Sequence, residues 1–132
     1  MYKKPRVKYF ICAVEKITAG IPAEAIERIV TAERAQANVY ERTDGEAFIS
    51  IPALFGKKDI PAPHGLVLKT GSRRTTLLAP KIDADLEIPE EDIRSLPEIF
   101  SGIFPFLRGA CFTGRNMIFI LDPGKLLEVY HD

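Results

Sequence analysis

Nowhere does this chain approach the roughly 18 consecutive apolar residues that a membrane-spanning helix needs. Its amino terminus, MYKKPRVKYFICAV, opens with charge, then alternates and meets Glu15-Lys16. It therefore lacks the sustained apolar segment of a signal peptide, and a cytoplasmic location without direct membrane insertion is expected. An excess of one charge is also missing: 18 basic residues balance 18 acidic ones. The short clusters Lys3 to Lys8 and Arg73-Arg74 form no basic stripe of the kind that meets phosphate, so nucleic acid is not an expected partner. Cysteine and histidine are scarce, with two of each. Cys12 and Cys111 sit inside apolar, strand-like runs and read as buried free thiols, not a disulfide. His64 lies in a proline-rich stretch and His131 is the penultimate residue. Neither has a companion at metal-ligand spacing, and both read as surface histidines. No GxSxG, CxxC or GxxxxGK[ST] pattern occurs, so no catalytic residues, metal or cofactor are expected, and the chain reads as a non-enzyme.

What is present is a succession of short strands. Arg6 to Val14 alternates, with a β-branched and aromatic bias. Ala19-Gly20 suggests a bend. Ile21 to Val30, IPAEAIERIV, is ambiguous: its apolar residues fit a helical stripe, while Ile26, Arg28 and Val30 also fit one strand face. Thr31 to Asn38 reads as a connection, and Val39-Tyr40 open a further strand. Thr43 to Glu46 carries the Asp-Gly signal of a hairpin turn. Ala47 to Ile51 reads as a strand, followed by a cap-like turn over Pro52 to Phe55. Lys57 to His64 is the best boundary between two halves. Strands follow at Gly65 to Lys69, Arg74 to Ala79 and Lys81 to Ile88, with a turn at Thr70 to Ser72. Pro89 to Asp92 loads a short helix start with carboxylates. Ser95 to Phe106 reads as loop, with Phe100, Ile103, Phe104 and Phe106 locking it to the core. The chain then reads strand, tight turn at Thr113-Gly114, strand and short helical ending, with Asp122 capping the last turn. Asp83, Asp85 and Glu87 alternate along one strand. They could hold a hard cation, but read better as a solvated face that discourages edge pairing.

The chain also repeats itself. A shift of 71 places sets Phe48-Ile49 on Phe119-Ile120 and Pro52 on Pro123. Two similar copies in 132 residues imply two small units, and nine or ten short strands imply barrels or a sandwich. Such architectures need no catalytic spacing to hold a partner in an apolar groove or along an edge.

Three segments resemble the CheW-like domain, the adaptor module of bacterial chemotaxis arrays. The strongest is LRGACFTGRNMIFILDPGKLL, in which Gly109, Gly114, Ile118 to Asp122 and Lys125-Leu126-Leu127 fill the family's places without a gap. LLAPKIDADLEIPEEDIRSLPEIF and FICAVEKITAGIPAEAIERIV are similar to two further family segments, and together the three cover most of the chain. The resemblance implies a mainly β fold: two small five-stranded SH3-like β-barrels packed on a shared hydrophobic core. It resolves IPAEAIERIV as a turn followed by a strand. It implies a single CheW-like domain over 1–132, with a first barrel near 15–60, a second near 65–125, and terminal segments able to cross between them. The implied function is a non-enzymatic coupling protein between the chemoreceptor cytoplasmic tip and the regulatory domain of a CheA-type histidine kinase. The implied partner groove is lined by Ile26, Arg28, Val39, Tyr40, Ile82 and Gly109. Arg28 stands where the family often has Glu, Asp85 stands where an apolar residue is usual, and the first copy has lost a customary Arg and Asp. These departures predict a divergent adaptor with its own choice of receptor. The alternatives are a small-ligand-binding β-barrel or a purely structural one, with no role in chemotaxis.

Overall fold

In a computed structural model of the chain, residues 6–31, 39–43, 45–57, 59–69, 74–114 and 116–130 are described. The connection 32–38, the first residue of the Asp44-Gly45 turn, the turn at 70–72, Arg73 and His131 lie outside them. Among the described residues there are ten strands: β1 (Arg6–Val14), β2 (Ile17–Pro22), β3 (Ile26–Thr31), β4 (Tyr40–Thr43), β5 (Glu46–Ser50), β6 (His64–Leu68), β7 (Arg74–Ala79), β8 (Ile82–Pro89), β9 (Leu107–Thr113) and β10 (Asn116–Leu121). Three short helices accompany them: α1 (Ile51–Leu54), α2 (Glu98–Ile103) and α3 (Pro123–Val129).

The strands form two five-stranded sheets. One runs β8-β1-β2-β10-β9 and the other β3-β6-β7-β5-β4. The repeat is visible in their wiring. In the first sheet β10 lies parallel to β2 and antiparallel to β9. In the second, β5 lies parallel to β7 and antiparallel to β4. β5 and β10 each then run into a capped helix. The Ser50 hydroxyl accepts from the Ala53 N–H at 3.2 Å, and the Asp122 carboxylate accepts from the Lys125 N–H at 3.2 Å. Both satisfy a backbone donor that the first turn leaves open.

The expected division at 15–60 and 65–125 does not follow the sheets. Residues 64–79 complete the β3–β7 sheet, and residues 6–22 cross over to join β8–β10. Non-regular chain at 59–63 lets β6 fold back antiparallel onto β3. At Gly65 a Cβ would stand 2.8 Å from Thr76 Cγ2 and 2.9 Å from Val30 Cγ2. Only a residue without a side chain fits between those two neighbours.

Other corrections are local. The expected bend at Ala19-Gly20 lies inside β2; the turn is at Glu15-Lys16, where Glu15 adopts a φ of 54° between paired Val14 and Ile17. IPAEAIERIV is strand end, a 3-10 turn at Ala23–Ala25, then β3, the turn followed by a strand that the resemblance implies. The segment read as loop, Ser95 to Phe106, contains α2, which starts directly after Pro97. Within it Phe106 is buried and Phe100 and Phe104 are half-buried, but Ile103 is exposed.

Both sheets contribute to one core. Cys12, Val14 and Ile21 from one meet Ile49, Leu66, Leu68 and Leu77 from the other. Phe55, just after α1, joins the units through rings: its centroid lies 5.8 Å from Phe104 and Phe106 and 6.2 Å from Phe119. Tyr40 on β4 stacks on Tyr130 beyond α3 at 5.9 Å. A smaller cluster of Tyr9, Ile88, Cys111, Ile118 and Ile120 belongs to the β8–β9 sheet alone. Among the described residues, no helix is long and apolar enough to cross a membrane.

Candidate partner-binding site

The six residues singled out from the sequence share one placement. Ile26 and Arg28 lie on β3, Val39 just before β4 and Tyr40 at its start, Ile82 on β8 and Gly109 on β9. These are the four edge strands of the two sheets. Edge strands expose unpaired backbone groups and are where a sheet meets another chain.

Their surroundings separate them. Ile26 is buried in the shared core, and Val39, Tyr40 and Ile82 pack against the same cluster while remaining half-exposed. Arg28 is exposed opposite Val67, next to a bulge that follows Ile26. Such a bulge re-aims the side chains after it. Gly109 is elsewhere. A Cβ there would stand 2.4 Å from the Arg94 carbonyl oxygen. Arg94 forms a two-way backbone bridge with Ala110, donating at 2.8 Å and accepting at 3.0 Å. Gly109 thus admits a neighbouring backbone, and its absent side chain is its contribution.

Apolar groups stand exposed beside these edges. Ile29 follows Arg28 on β3 and Leu86 lies on β8. Phe112, 69% exposed, faces Met117 across the β9–β10 hairpin. Ile99 and Ile103 lie four apart on α2, both exposed. The acidic alternation on β8 is partly neutralised: Asp85 meets Lys8 at 3.6 Å and Asp83 meets Lys81 at 3.4 Å. Among the described residues no group of three or more His, Cys, Asp or Glu is arranged to hold a metal ion.

A cleft with charged groups on its walls, lined by neither Arg28 nor Asp85, also exists, which the sequence did not disclose. It measures about 380 Å³ and opens at the carboxyl ends of the parallel pair β2 and β10. Arg108 donates to the Tyr9 hydroxyl at 3.2 Å and forms an ion pair with Glu90. Burial pushes the Tyr9 phenol above its ordinary value; the charge of Arg108 opposes this, while those of Glu90 and Glu24 add to it. Hydrogen bonding to Glu90 holds Arg108 above the usual guanidinium range. Tyr9 and Arg108 are 99 residues apart, so no local spacing links them. The one available signal is Arg108 itself, a lone charge in the apolar run FLRGACF.

No family model matches the chain, and neither does any curated protein. Among solved structures, the scaffolding protein TtCheW from Thermoanaerobacter tengcongensis superposes with a TM-score of 0.73 at 14% sequence identity, over 92% of this chain and 88% of that one. The fold is CheW-like. At this identity few side chains are shared, so what the likeness carries is backbone path. The match runs through nearly the whole chain, so it spans both five-stranded sheets and not one of them alone.

Proposed function

We propose that the chain is a non-enzymatic signalling adaptor that holds two proteins at once, as a coupling protein between the chemoreceptor cytoplasmic tip and the regulatory domain of a CheA-type histidine kinase. The observation that carries this reading is the CheW-like backbone, matched over 92% of the chain to a scaffolding protein. Such a role belongs in the cytoplasm at receptor arrays. The edge strands and the exposed apolar groups beside them support it, since association of this kind draws its energy from apolar surface and open strand edges.

The receptor-facing surface is assigned to Arg28, Val39, Tyr40 and Ile82, with Ile26 shaping it from beneath, while Gly109 keeps its place on the separate β9 edge. Arg28 is the specificity determinant, because a cation at the rim attracts a carboxylate and repels a basic side chain. The test is co-sedimentation of the purified protein with its cognate receptor tip and, separately, with the kinase regulatory domain. Retention of both is expected. Arg28→Glu is a surface change that leaves folding intact, and it should weaken receptor binding by about tenfold. Retention of neither protein sinks the adaptor reading, and an Arg28→Glu variant binding like the parent removes Arg28 from the interface.

A further inference from the structure

We infer that the cleft beneath α3 is a receptor for a basic group, a guanidinium or ammonium, with Glu24 and Asp122 as its recognition carboxylates. Three carboxylates, Glu24, Glu90 and Asp122, line it against one cation, Arg108. Arg108 is already spoken for by Glu90 and by the Tyr9 hydroxyl. The surplus charge therefore rests on Glu24 and Asp122. Both are close enough to act on the cluster: the charge of Glu24 is felt at Tyr9 and that of Asp122 at Arg108. Glu24 is exposed at the mouth. Asp122 uses one oxygen, Oδ1, to cap α3, which leaves the other for a ligand. Apolar wall comes from Val7, Pro22 and Pro123, suited to the methylene stem that precedes a lysine or arginine head.

The sister unit supplies an internal comparison. At the equivalent end of its parallel pair, the cap is the uncharged Ser50, and β7 ends at Ala79, followed by Pro80 and the basic Lys81. The sister cap shows that the fold does not require a carboxylate at the start of the helix after the parallel strand. A basic group fits because it brings the missing positive charge, while an anion would have to displace Glu90 from Arg108. The inference stands apart from the adaptor reading, and either can fail without the other.

The experiment is amide-shift mapping by NMR with three probes: blocked arginine (Nα-acetyl-arginine N-methylamide), its uncharged citrulline counterpart, and agmatine. Shifts centred on Ala25, Arg108, Leu121 and Gly124 are expected for the two cations, with citrulline at least tenfold weaker. The double variant Glu24→Gln/Asp122→Asn should bind at least tenfold more weakly while keeping the parent spectrum elsewhere, since asparagine still caps α3. Tighter binding of a blocked Ala-Ala-Arg-Ala-Ala peptide than of agmatine identifies a protein side chain as the natural occupant; the reverse order identifies a small amine. Absence of cleft shifts with every cation, equal binding of citrulline, or unchanged binding by the variant overturns the assignment.

Discussion

Gly109 and Cys12 show how differently single residues depend on their neighbours. Gly109 matters for what it lacks. The Arg94 carbonyl oxygen occupies the place its Cβ would take, at 2.4 Å, and the bridge to Ala110 holds Arg94 there. Gly109→Ala must push that backbone away, and the expected loss is about 1–3 kcal/mol, measured by denaturant unfolding; an unchanged midpoint would mean the approach is looser than the geometry states. Cys12 matters for where it sits. Its thiol is fully buried in the shared core, and desolvation, aided by the charge of Asp83, pushes it up to about 12. The free-thiol reading was available from apolar context alone, whereas the glycine's role needed Arg94, which is remote from it in sequence.

Elements were legible in proportion to how local their cause is. Strand–turn–strand at 107–121 follows from alternation and a Gly114 with φ of 60°. The capped ending follows from Asp122-Pro123, a side-chain acceptor followed by a residue whose missing N–H costs the first turn nothing. Asp122→Ala removes the acceptor for the Lys125 N–H, and a loss of about 1 kcal/mol is expected; Asp122→Asn should restore most of it, as judged by thermal melts of the three proteins. Periodicity alone leaves IPAEAIERIV open because a short apolar run satisfies both periods; the family resemblance implies a turn then a strand, and β3 indeed pairs with β6. α2 was missed because Pro97 looks like a loop residue when it is in fact the residue before the first turn. Its exposed Ile99 and Ile103 give no inward stripe from which to read a helix.

At the scale of the molecule, the two sheets cannot be separated without exposing the core they share. Ile21 belongs to one and Leu66 to the other, yet both are completely buried in a single cluster. The β1–β2 hairpin also ties the beginning of the chain to β10 near its end. One cooperative unfolding transition is therefore expected by both circular dichroism and tyrosine fluorescence; two transitions would show the units to be independent. Alkali should weaken the protein. Folded Cys12, Tyr9 and Tyr130 have their pKa values raised, each chiefly by burial. The unfolded chain then ionises first, and stability present below the ordinary values is lost as pH climbs beyond about 9. A melting midpoint flat from pH 7 to pH 10.5 would contradict this.

Local chemistry in the chain was enough to establish a succession of nine or ten short strands, the capped endings, the buried thiols and the existence of two related copies. Each of those rests on residues a few places apart or on one copy compared with the other. Only the tertiary structure decided which strands share a sheet, that 64–79 returns to the first unit and 6–22 joins the second, and that Tyr9, Glu90 and Arg108 face one cleft. The reason is physical: backbone pairing is blind to residue identity, so a strand's partner is chosen by which arrangement buries both sheets' apolar faces together. That choice belongs to the whole chain and is written in no single segment of it.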